Sequence, residues 1–216
     1  MLENWGMLLF VLVALVFLGG FVLGTQWNVR KGNQILKWLR GGLTHIGDKS
    51  TLRWLGSSVI ELKIAKAKSP FRAAETLIVF EPRDIVFLWV LARAQDRRDL
   101  LIFRAQLHEV PRFEIEVFNP KGWTTHNTER DVRRKDWTPL DLPADQPLRA
   151  YYSGNAGASA KPLIDLALRA SDRLVRLSLH RDVPNLELHW RLPDPKTQSA
   201  RDFFMDLRKL GEDATR

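Results

Sequence analysis

The chain has 216 residues, a formal charge of +8 from 33 Lys and Arg against 25 Asp and Glu, and no cysteine. That length suits one domain plus an appendage, and 45% hydrophobic with 27% charged residues excludes both collagen and wholesale disorder. Without cysteine there is no disulfide scaffold, no thiolate catalysis and no zinc or iron–sulfur site built on Cys.

The first element is a membrane anchor over residues 1–27. Trp5 to Gly24 is twenty positions without an ionisable side chain, roughly 30 Å of helix and the thickness of a hydrocarbon core. Trp5 and Trp27 bracket the run where interfacial aromatics are expected. A cleaved signal peptide would carry a basic leader, whereas the only charged side chain ahead of the run is Glu3. Behind it come Arg30, Lys31, Lys37 and Arg40. The positive-inside rule then puts the C-terminal domain in the cytoplasm. The lack of cysteine and of any Asn-x-Ser/Thr acceptor agrees. Arginine outnumbers lysine 22 to 11, which suits a GC-rich prokaryotic genome and hence an inner membrane. The spacing Gly20-x-x-x-Gly24 either admits a second transmembrane helix or reflects the frequency of glycine in such helices.

Residues 28–57 read as a basic juxtamembrane stalk. Positions 25–57 carry +5, against −1 before them and +4 over residues 58–216. The expected membrane and lipid contacts are Trp5, Trp27, Arg30, Lys31, Lys37 and Arg40, each cation attracted to anionic headgroups by about 1 kcal/mol. A helix should continue through residues 28–40, with Ile35, Leu36, Trp38 and Leu39 as its apolar stripe, and stop at Gly41-Gly42. It either lies on the membrane surface or packs on its own domain. Topology already accounts for the charge, so nucleic acid is not the expected partner.

Residues 58–216 read as a cytoplasmic α+β domain of antiparallel sheet packed with helices. Alternation predicts strands over 59–67, 76–81, 100–108 and 112–118, with turns at Ser69-Pro70 and Val110-Pro111. Asp84 is placed to N-cap a helix over 85–96. Its Ile85–Leu91 portion is apolar all round, so it is either buried centrally or turns one face to lipid or a partner. Val86, Trp89 and Val90 are the candidate interaction surface. The segment Leu107–Ile115 aligns with Leu179–Leu188 around a shared Val-Pro turn, which suggests two related α-β-β units at about 58–119 and 148–193. Between them, residues 120–147 read as a polar, charge-dense linker. Phe203, Phe204, Leu207 and Leu210 give a C-terminal amphipathic helix over 199–210.

Sites of chemistry are sparse. Gly154–Lys161 lacks the spacing of a phosphate loop, the five histidines show no metal-ligand spacing, and no G-x-S-x-G occurs. His108 and His180 take matching places in the aligned segments and read as polar strand ends. Glu114 and Glu116 share a strand face, where cross-strand charge pairing is their expected role. No catalytic residue, metal ligand or cofactor is assigned. The expected function is a single-pass, membrane-anchored, non-catalytic interaction protein with a protein partner, such as an accessory or assembly subunit of a membrane complex. A lipid-surface or lipid-ligand binding domain is the first alternative, and an enzyme acting on a membrane-associated substrate the second.

Overall fold

The computed structural model describes residues 2–155 and 160–215. Helix α1 runs unbroken from Leu2 to Arg40. Its first part is long and apolar enough to cross a membrane, with a mean hydropathy of 2.8 over its best window and its large apolar side chains from Trp5 to Leu23 exposed. The second part is a different environment on the same helix. One stripe, Gly20, Gly24, Asn28, Gly32, Ile35 and Leu39, recurs every three to four residues and turns towards the rest of the chain. Ile35, Trp38 and Leu39 are buried in the main core, so residues 28–40 pack on the chain's own domain rather than standing free. Gly41 and Gly42 end the helix, as expected.

Among the described residues the domain is one antiparallel sheet of nine strands. In chain order these are β1 (Ser50–Leu55), β2 (Val59–Ile64), β3 (Phe71–Val79), β4 (Leu100–Leu107), β5 (Phe113–Phe118), β6 (Thr138–Leu140), β7 (Arg149–Gly154), β8 (Leu174–Leu179) and β9 (Leu186–Arg191). Their spatial order is β1-β2-β3-β4-β9-β8-β5-β7-β6. Helices α2 (Val86–Ala94), α3 (Thr128–Arg134), α4 (Lys161–Arg169) and α5 (Ala200–Thr215) complete an α+β fold. Gly56, between β1 and β2, has φ +71°, a turn conformation that a side chain would strain.

Period-two alternation sends one set of strand residues into the main core: Ile60 and Leu62 of β2, Phe103 of β4, Ile115 of β5, Leu177 of β8 and Leu188 of β9. Leu163 and Leu166 of α4, Phe204, Leu207 and Leu210 of α5, and the end of α1 cover that face. β1 belongs to the sheet and Ile46 to the core, so the stretch 28–57 is structurally part of the domain.

Both α2-β4-β5 and α4-β8-β9 have the helix-strand-strand order, yet their pairing differs. β8 and β9 form a hairpin. β4 and β5 do not touch, because that hairpin lies between them. The cause is local. Asn185 closes the tight turn by donating from Nδ2 to the Arg181 carbonyl at 2.9 Å, while its Oδ1 accepts the Leu107 N–H at 3.0 Å. The equivalent position after Val110-Pro111 is Arg112, which has no such bonds to its own turn. The structure therefore gives no support to a duplicated unit.

Residues 120–147 are ordered. They hold α3 and β6, and Val132 and Trp137 pack with Phe118 and Tyr151 against the outer sheet face.

Candidate functional site

Two polar assemblies stand out, one at the junction of α1 and the sheet and one across the outer face of the sheet.

At the junction the chain passes 83–86 against α1. A Cβ on Gly24 would meet the Arg83 backbone and the Asp84 nitrogen, and one on Gly20 would meet Val86. The two glycines thus serve contact within this chain, although their spacing also matches a helix-pairing motif. One turn further along, Asn28 is buried; its Nδ2 donates to the Glu81 carbonyl at 3.2 Å and its Oδ1 accepts from Arg83 at 2.9 Å. Arg83 makes a two-pronged contact with Asp99 at 2.9 and 3.0 Å, and Lys31 reaches the same carboxylate at 2.5 Å. Glu81 accepts from the Trp89 indole at 2.5 Å and lies 3.3 Å from Arg83. Burial pushes the Asp99 carboxyl up, but the Arg83 and Lys31 hydrogen bonds and the Lys31 charge outweigh it and hold it below its ordinary value. Two buried carboxylates, one buried guanidinium and one half-exposed ammonium thus clamp α1 to the sheet.

Of the expected lipid contacts, Trp5, Trp27, Arg30, Lys37 and Arg40 are exposed on α1. Lys31 instead faces Asp99, and the Arg83 guanidinium sits 5.7 Å over the Trp27 ring. The capping expectation at α2 is corrected. Asp84 accepts from the Ser57 hydroxyl at 2.6 Å, and the N-cap is Ile85 without a side-chain cap. Central burial of α2 is corrected too, since Ala92 is its one buried residue. Val86 and Val90 are exposed and Trp89 is half-buried beneath them.

Across the sheet, register builds a row of charge. Lys63, Glu75, Arg104, Glu187, Ser178 and Glu116 stand opposite one another on β2, β3, β4, β9, β8 and β5. Arg104 bonds Glu187 at 2.9 Å, and Arg176 bridges Glu187 at 3.6 Å to Glu116 at 2.5 Å. His180 lies 2.7 Å from Glu116, and His189 lies 2.5 Å from Glu187 and 2.9 Å from the Thr124 hydroxyl. Burial raises the Glu187 carboxyl, but His189 and then Arg104 and Arg176 overcome it and bring it from the ordinary 4.5 to about 2. In Glu116 burial is likewise outweighed, by the His180 and Arg176 hydrogen bonds, and its carboxyl is also lowered. Carboxylates held this firmly ionised are poor proton acceptors near neutral pH, so the row is suited to rigidity and to presenting charge. Cross-strand pairing of Glu116 is as its strand position predicts. His189 is buried against Glu187 and Thr124, and His108 lies apart at the β4–β5 turn.

Beside this row an open groove of ≈ 600 Å³ is lined by Lys63, Glu75, Arg104, Gln106 and the Val183-Pro184 turn. Among the described residues no group of His, Asp and Glu is arranged to hold a metal ion. In the stretch Gly154–Lys161, residues 156–159 lie outside the described residues, and Lys161 opens α4. Arg83, Asp99 and Asn28 escaped the sequence reading because Pro82-Arg83-Asp84 looks like turn punctuation. Arg176 and Glu187 were visible only as polar positions of alternating strands. No protein-family model matches the chain, and a search of curated proteins returns no match.

Proposed function

We propose that this chain is a single-pass membrane protein whose cytoplasmic domain is a non-catalytic docking module for a protein of a membrane complex. The observation that carries the reading is the continuity of α1. One helix is membrane-length and apolar at its start and core-forming at Ile35 and Leu39. Such a helix, clamped by Arg83 and Asp99, holds the domain at one distance and angle from the bilayer instead of on a flexible tether. Fixed presentation is what a subunit needs in order to meet a neighbour in the same membrane, because it removes orientational freedom before docking. The groove beside Arg104 supplies alternating fixed charges and the exposed Val183 as a docking surface. The basic flank of residues 30–40 supports the cytoplasmic orientation.

Two measurements test this. A reporter fused after Arg216 should be active only in the cytoplasm, and external activity overturns the topology. The full chain, purified in mild detergent from its native membranes, should bring down a stoichiometric partner identified by mass spectrometry. Ala73 is exposed on β3 and lines the groove, so Ala73→Trp should fill it and lose that partner. A wild-type chain that comes down alone, or a partner kept by the variant, counts against the docking module.

A further inference from the structure

Helix α2 is the least explained part of the domain. In a nine-residue helix, Phe87 is 60% exposed, Val90 59% and Leu91 52%, and Ile85 and Val86 are exposed before them. This patch does not sit at an arbitrary place. The chain touches α1 at Gly24 through Arg83 and at Gly20 through Val86. Four residues of helix separate those contacts, about 6 Å along α1, and the direction is towards the middle of the apolar run. Val86 therefore lies about one helical turn inside the end of the run, at the level of Phe21, Val22 and Leu23, which are themselves exposed. Any bilayer that surrounds those three residues surrounds the start of α2. The other end of α2 returns to polar ground. Arg93 approaches Glu81 at 3.4 Å, and Arg97 lies over the Trp123 ring at 5.5 Å.

We infer that α2 is a second membrane contact, an interfacial helix whose Phe87, Val90 and Leu91 face is seated in the lipid of the leaflet through which α1 leaves the bilayer. An apolar helix face buried about 5–10 Å at the headgroup boundary is the usual geometry of such elements, and the offset along α1 falls within that range. Arg93 in the last turn of α2 and Arg97 just beyond it are cations of the kind that anionic headgroups attract. Lipid-facing apolar side chains also account for a helix that is hydrophobic all round yet has one buried residue. The inference rests on α1 crossing the membrane and is independent of the protein partner.

The absence of cysteine in the natural chain makes the test direct. Single-cysteine variants of the full chain at Val90, at Phe87, at Leu12 in the apolar run, and at Val110 are labelled with an environment-sensitive fluorophore. They are reconstituted in vesicles of phosphatidylcholine and phosphatidylglycerol containing doxyl-labelled lipid. Val110 is the matched control, an exposed valine (65%) on the turn beyond the other end of β4. Labels at 90 and 87 should emit to the blue of the label at 110 and be quenched by lipid-borne doxyl about two-fold or more strongly than it. Using two sites on α2 guards against local misfolding at either. If positions 87 and 90 behave like 110 while 12 is quenched, the inference fails and the anchor stands. If 12 is also unquenched, the anchor fails and the inference with it. A blue shift at 87 and 90 without doxyl quenching means that protein covers α2, which also overturns the inference.

Discussion

Gly24→Ala should loosen the domain from α1. An ideal Cβ at this position lies 2.5 Å from the Asp84 nitrogen, with the Arg83 carbonyl closer still, against the 3.4–4 Å of ordinary contact. The obstacle is backbone, so α1 and the 83–86 segment must separate by about 1 Å. That separation draws Arg83 away from Asn28 and Asp99, which it bonds at 2.9 Å each. Overpacking of this kind costs about 1–3 kcal/mol. Gly19→Ala is the control, because a Cβ there meets nothing within 4 Å. Both substitutions gain the same helix propensity, about 1 kcal/mol, so their difference isolates the steric cost. At about 2–4 °C per kcal/mol for a chain of this size, the G24A variant should melt about 2–12 °C below the G19A variant. The assay is thermal unfolding of the full chain in mild detergent, followed by tryptophan fluorescence. A G24A variant that melts with or above G19A refutes the close approach of 83–84 to α1, and with it the depth assigned to α2.

Asp99→Asn removes the charge that compensates buried Arg83 and half-exposed Lys31, and should destabilise by about 3–5 kcal/mol in urea unfolding. A loss under 1 kcal/mol would mean that Glu81 alone satisfies Arg83. Stability should also fall on acidification. Glu187 titrates lower in the folded chain than when unfolded, so its contribution is complete above pH 4.5 and is lost as pH falls through about 2. The full shift corresponds to roughly 3 kcal/mol for this mostly buried group. Asp99 and Glu116, also lowered, act with the same sign. Unfolding midpoints that stay level from pH 6 to pH 2.5 would refute the pairing. A fragment of residues 58–216 loses β1 together with Ile35, Trp38, Leu39 and Ile46 from the core. With about 1.5–3 kcal/mol lost for each large apolar side chain, it should be unfolded or aggregated by circular dichroism and size exclusion. A fragment starting at residue 26 should fold, and a folded 58–216 would return residues 28–57 to the role of a stalk.

Local patterns were legible where the physics is local. Twenty uncharged positions make a membrane-length helix whatever follows them, and Phe204, Leu207, Leu210 and Ala214 sit three or four apart because α5 lies on a core. Strand alternation marked β2, β4 and β5 within a few residues. β1, with Leu52 and Leu55 exposed at the sheet edge, lacks that alternation of burial and was missed. The aligned Val-Pro turns leave the repeat unconfirmed, because sequence similarity at a turn says nothing of which strand pairs with which. Asn185 against Arg112 separated a hairpin from a wide connection.

Composition, hydropathy and charge asymmetry by themselves determined a helix of membrane-spanning length, its basic flank and an α+β domain behind it, since each depends only on residues near in sequence. Tertiary structure alone decided that the flank is not a tether. Asn28 and Lys31 meet Glu81, Arg83 and Asp99 across more than fifty residues of chain, and no periodicity encodes a contact that distant. The same holds for α2. Its hydrophobicity was plain from the sequence, but its position beside α1 follows from two glycines small enough to let residues 83–86 lie against that helix.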